Sequence, residues 1–211
     1  MDETRPFSHR RLQREKDFTG ERIATFRAVF LRHGLPGIIL ALVCFTIPDL
    51  QLVFLESVEK ALANPGRYLA IGLLIFAGLN AYAWFIDRQW SPAKLGWIVY
   101  LGALSFWEEW VFRVALPHSL EGFGLPVWST VILSAMVFGG AHYFTLRWRW
   151  QWCVGAFIGA LFLSRQMNLH QDLLLITAFH WIGTYLNTPR PPGESSRAGL
   201  IRPQAAGDQN P

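Results

Sequence analysis

Two adjacent glutamates and an arginine interrupt an apolar stretch, Phe106-Trp107-Glu108-Glu109-Trp110-Val111-Phe112-Arg113. Ionisable side chains within a membrane span cost about 2.5–3.5 kcal/mol each on insertion scales, so they mark a functional site by default. Two further apolar segments carry a histidine: His142 in Phe138-Gly139-Gly140-Ala141-His142-Tyr143-Phe144, and His180 in Ala178-Phe179-His180-Trp181-Ile182-Gly183-Thr184. A lone histidine in such a place is ordinarily an interhelical hydrogen bond. Two histidines and a glutamate pair on three separate spans are better read together, because polar groups in lipid find one another as partners.

Spacing divides the two glutamates. Glu109 and Arg113 are four residues apart, one helical turn, which suits an ion pair. Glu108 points about 100° away from Glu109 and is the freer carboxylate. A carboxylate that can take a proton from water, with imidazoles that can polarise a carbonyl or hold an oxyanion, is the minimum set for amide hydrolysis. One glutamate and two histidines are equally a donor set for a catalytic divalent metal such as zinc. The His-Glu-x-x-His helix of many zinc peptidases is absent, so those ligands would come from three helices. A site without cofactor is the first expectation, and a metal on Glu108, His142 and His180 the alternative.

The elements that must position these groups are helical and membrane-embedded. Of the 211 residues 52% are hydrophobic and only 16% charged, against about 25% charged in a typical soluble domain. Six spans are predicted, near 35–54, 68–86, 95–116, 127–144, 150–163 and 173–186, in one all-α polytopic domain over 35–187 with a polar cavity inside. The first is the most irregular, because Pro48 and Asp49 interrupt it. No short apolar core precedes a small-residue cleavage site, so the first span is expected to direct its own insertion. Residues 1–34 form a basic segment, and 18–32 read either as an amphipathic surface helix or as the start of a longer first helix. Residues 188–211 are rich in proline and small polar residues and are expected to be disordered.

Charge gives an orientation. Fifteen Lys and Arg fall on the side of the N-terminus and three on the other, with Arg113 inside a span; both termini are therefore expected in the cytoplasm. The net charge of +4 is thus topological and attracts lipid rather than nucleic acid. Cys44 and Cys153 lie in apolar segments without neighbours at ligand spacing and read as core. Gly155 and Gly159 read as a close helix–helix contact, and Trp148-Arg149-Trp150-Gln151-Trp152 as an interfacial aromatic belt.

Glu-Glu-x-x-x-Arg at 108–113, Phe-x-x-x-His at 138–142 and a final embedded histidine at 180 resemble the CPBP family, the CAAX-protease and bacteriocin-processing (Abi) intramembrane proteases of glutamic type. The resemblance covers about residues 95–187. It implies an intramembrane endopeptidase of a membrane-associated protein or peptide, acting on CAAX tails, bacteriocin-related proteins or C-terminal sorting signals, in the cytoplasmic membrane of a bacterium. It implies Glu108 as the water-activating base, His142 and His180 lining the cavity, and Glu109 and Arg113 in support. Where the family pattern has asparagine four residues after the last histidine, this chain has Thr184, with Asn187 one turn further on. Val114 stands where the family has a glycine. A non-catalytic immunity or partner protein and a proton-coupled transporter are the competing classes, although no internal repeat supports the latter.

One expectation conflicts with the rest. At 1.5 Å per residue, Glu108 and His180 fall roughly 12 Å from the non-cytoplasmic ends of their spans, whereas His142 falls roughly 24 Å from that end. A common site requires a steep fourth span, an inward-dipping turn at 122–126, or a displaced span boundary.

Overall fold

The computed structural model describes residues 25–86, 88 and 90–192. Among these all regular structure is helical, with no strand. Helix α1 runs Phe26–Cys44, α2 Pro48–Ala63 and α3 Pro65–Phe85. Helix α4 is built of Pro92–Glu109, Trp110–Ala115 and Leu116–Gly122 without a break. Helices α5 (Val127–Thr145), α6 (Trp150–His170) and α7 (Leu173–Asn187) complete the bundle. Helices α1, α3 and α5 are long and apolar enough to cross a membrane, and α7 is a shorter apolar helix.

Proline and short polar caps set the boundaries. Pro48, Pro65 and Pro92 each open a helix, where the missing N–H is not needed. Ser91 caps α4 through Lys94 N, and Asp172 caps α7 through Leu175 N, the ordinary use of a short oxygen acceptor at a helix start. Gly124, at φ +86°, turns the chain between α4 and α5 in a backbone region open to glycine.

The helix starts correct the expected span limits. The first span is not Leu35 to Phe54: it begins at Phe26, ends at Cys44, and Pro48 then starts a separate helix. Helix α1 passes through Gly34 and Leu35 unbroken, so residues 26–32 are the start of a longer first helix rather than a separate surface helix. Residues 18–24 and the tail from 193 lie outside the described residues. Helix α4 continues to Gly122, six residues past the expected end of the third span. Glu108 is then fourteen residues from the end of α4, about 21 Å along the axis, and comes level with His142. The displaced boundary brings Glu108 level with His142; His180 remains seven residues, about 10.5 Å, from the start of α7, and reaches the site because α7 packs along α4.

Helix α4 is the centre of the fold. Its first half packs along α7 and its second half against α2 and α5, while α5 packs along α6. Trp110 and Ile98 of α4 are fully buried, with Ile176 and Tyr185 of α7. The outer faces instead expose large apolar side chains, among them Leu73, Leu74, Trp128, Val137, Ile158 and Phe162, a surface suited to lipid. The close helix approach falls at a glycine other than those expected. A Cβ on Gly139 of α5 would stand 2.8 Å from the Cys153 carbonyl oxygen of α6, whereas Gly155 and Gly159 face open space.

Candidate active site

Each site residue is placed by a local feature of its helix. Among the described residues, both π-helical turns carry site residues: Phe30–Gly34 in α1 and Trp110–Ala115 in α4. Such turns insert a residue, re-aim the side chains around them, and recur at functional sites. The first holds His33; the second follows Glu108 and Glu109 directly and holds Arg113.

Helices α4 and α7 are locked in register by two indoles. Trp181 Nε1 donates to the Ile98 carbonyl and Trp97 Nε1 to the Thr188 carbonyl, each at 2.8 Å. Gly102 makes room for the first indole, since a Cβ there would lie 2.8 Å from Trp181 Cε2. This register brings His180 beside the glutamates. His180 Nδ1 is 2.7 Å from Glu109 Oε1, and Nε2 is 3.7 Å from Glu108 Oε2.

Glu109 pairs with Arg113 as its spacing predicts, Oε2 to Nε at 3.1 Å, with both side chains fully buried. Its other oxygen faces His180, so Glu109 ties α4 to α7 as well as stabilising its own turn. These are close ion-pair contacts rather than aligned hydrogen bonds. The Arg113 guanidinium lies 4.6 Å from the centre of the Phe138 ring, a cation–π distance. Phe138 also meets both predicted histidines, ring centres 4.6 Å from His142 and 5.8 Å from His180.

His142 comes from the last turns of α5. Its Nδ1 donates to the Phe138 carbonyl at 2.8 Å, because a carbonyl can only accept. Its Nε2 is thereby turned toward Glu108, 4.0 Å from Oε1. Glu108, His142 and His180, read from three separate spans, thus meet within 4.0 Å through one carboxylate. Thr184 is half-buried one turn beyond His180, and Asn187 is exposed at the end of α7. Among the described residues no side-chain hydrogen bond joins either to the cluster.

Two residues of the site were assigned elsewhere from the sequence. His33, placed in the N-terminal segment, makes the shortest contact to the Glu108 carboxylate: Nε2 is 2.8 Å from Oε1. Its signal was a histidine immediately before the apolar run of the first span. Trp148, read as part of an interfacial belt, lies over His142 with ring centres 4.7 Å apart. Trp150 and Trp152 are exposed as an interfacial belt requires. Among the described residues, a grouping able to hold a cation is His33, Glu108 and His142, whose ligand atoms lie within 4.8 Å of one another. His33 thus stands where His180 was expected in a metal set.

A family model described as type II CAAX prenyl endopeptidase Rce1-like matches residues 89–186. Residues 89–186 are Rce1-like. The resemblance read from Glu-Glu-x-x-x-Arg, His142 and His180 is borne out over this segment. No curated protein and no solved structure matches the chain. The Rce1-like segment takes in α4, α5, α6 and nearly all of α7. It leaves out α1 to α3, and therefore His33.

Proposed function

We propose that the protein is an intramembrane endopeptidase in which Glu108 activates water to hydrolyse a peptide bond of a membrane-associated protein or peptide. The observation that carries this reading is the meeting of Glu108 with His142 and His180, from three helices of the Rce1-like segment, within 4.0 Å. Separations of 3.7 and 4.0 Å are too long for direct hydrogen bonds.

The chemistry follows from the donors. Water gives a proton to a Glu108 oxygen as its own oxygen bonds to the scissile carbonyl carbon, and the carbonyl π pair moves onto oxygen. His180 faces that centre through Nε2 and, as an imidazolium, stabilises the oxyanion; His142, whose N–H is held by the Phe138 carbonyl, presents an Nε2 lone pair that can accept from the water. On collapse the C–N bond breaks, and the proton passes from Glu108 to the leaving nitrogen. Glu109 and Arg113 hold the helix and the His180 ring in place. No cofactor is needed. The family's name points to a prenylated CAAX tail as the first substrate to try, with bacteriocin-related proteins and C-terminal sorting signals next.

The test is a trapping and turnover experiment on the full chain in lipid. Glu108→Gln and His180→Ala are expected to abolish cleavage while the protein remains folded, and Glu108→Gln to retain bound substrate for identification. Near-normal turnover by either variant overturns the mechanism. Full biological activity of Glu108→Gln would instead place the chain among non-catalytic partners. A divalent-metal peptidase on the same residues is the rival reading, favoured by the grouping of His33, Glu108 and His142. Stoichiometric metal in pure protein, with activity lost to chelator and restored by metal, would establish it.

A further inference from the structure

Helix α1 contributes a residue to the site from outside the Rce1-like segment, and its hydrogen bonds have a fixed direction. The Thr145 hydroxyl donates to the Ala141 carbonyl at 2.7 Å, since that carbonyl can only accept. Thr145 Oγ1 is also 2.8 Å from His33 Nδ1. Its hydrogen is already engaged, so it accepts there and Nδ1 donates. On the other side of the ring Nε2 is 2.8 Å from Glu108 Oε1. A lone pair facing a carboxylate oxygen at that distance would be repulsive, so a proton lies between them.

Charge balance in the buried cluster agrees. Glu109 is matched by Arg113 at 3.1 Å. Glu108 faces three imidazoles: His180 at 3.7 Å, His142 at 4.0 Å and His33 at 2.8 Å. His142 has turned its N–H to the Phe138 carbonyl, and the close contact of His180 is to Glu109. His33 alone of the three is within hydrogen-bond distance of Glu108, with its second nitrogen held by Thr145. A buried carboxylate without a compensating donor is strongly unfavourable.

We infer that His33 is a positioning residue of the active site, donating from Nε2 to Glu108 Oε1 and from Nδ1 to Thr145 Oγ1, so that Oε2 is left as the oxygen that meets water and His180. Its role in catalysis rests on the function proposed above; the hydrogen-bond arrangement does not. Arg32, the preceding residue, supports the same docking. Its guanidinium donates to the carbonyls of Thr145, at 3.0 Å, and Phe144, at 3.2 Å, fastening α1 to the end of α5.

Nitrogen-15 NMR of histidine-labelled full-length protein in nanodiscs tests the arrangement without a substrate, the His33 signals being assigned by their loss in His33→Gln. The expected result is a His33 ring protonated at both nitrogens in the wild type, reverting in Glu108→Gln to a neutral ring that keeps the proton on Nδ1. A wild-type ring protonated at one nitrogen only, or one unchanged by Glu108→Gln, overturns the inference. Zinc that co-purifies at one equivalent and is lost in His33→Gln overturns it too. The catalytic arm uses the substrate captured on Glu108→Gln. His33→Leu is expected to lower kcat about tenfold or more with KM unchanged, and His33→Gln, whose amide can still donate, to recover part of that loss. Equal turnover by His33→Leu and wild type overturns the positioning role. If the NMR result holds and wild-type protein cleaves nothing captured, the endopeptidase reading fails while the contact stands.

Discussion

At the scale of single residues, the two glutamates of one motif do different work because the helix aims them differently. Glu109 is fully buried between Arg113 and His180; Glu108 is shared among three imidazoles. Removing one member of a buried ion pair leaves the other uncompensated, at about 3–5 kcal/mol. Arg113→Met is therefore expected to lower thermal stability in detergent by that order, and Glu109→Leu in the same chain to restore much of it. An Arg113→Met protein that melts like wild type would show that the pair does not hold the helix. The i to i+4 pairing was legible from the sequence, because local spacing alone decides it. The second partner of Glu109 was not, because His180 is brought to it by the packing of another helix.

At the scale of elements, the site depends on close approaches that have no slack. Gly139 lets α5 lie against the α6 backbone, and Gly102 lets the Trp181 indole lie against α4. Gly139→Val has a carbonyl oxygen in its way and is expected to destabilise by about 1–3 kcal/mol, measured as a lower unfolding temperature. Gly102→Leu pushes against a ring pinned by its hydrogen bond to Ile98. It is expected to cut turnover more than stability, because the displaced helix carries His180; unaltered turnover would mean that the indole does not set that register. Helix α4 shows how far a boundary can mislead. Its apolar pattern fades near Leu116, yet the helix runs on to Gly122, since Pro117 falls in the first turn after the π-helical Trp110–Ala115, where its missing N–H is tolerated, and Gly124 makes the turn.

At the scale of the whole molecule, the Rce1-like segment is insufficient for the site as built, because α1 supplies His33 and docks through Arg32 on the end of α5. A chain restricted to 89–186 is expected to lack cleavage activity even if inserted, and co-expression of 1–88 as a separate chain to restore part of it. Retained activity in the short chain would remove α1 from the mechanism. Orientation is a separate expectation, from the excess of Lys and Arg beside the termini. Single cysteines placed in 1–24 and in 193–211, in a chain with Cys44 and Cys153 replaced, should react with a membrane-impermeant reagent only once the cytoplasmic face is opened.

The sequence by itself determined the class of molecule, a polytopic helical protein, and the three motifs whose polar groups would have to meet. Both follow from local rules: hydrophobic length sets a span, and a charge in lipid calls for a partner. The depth at which those groups meet, the glycine that lets α5 touch α6, and the contact of His33 with Glu108 were decided by the tertiary structure. Each depends on where a second helix lies, and that is fixed by packing between segments up to 75 residues apart rather than by the pattern within any one of them.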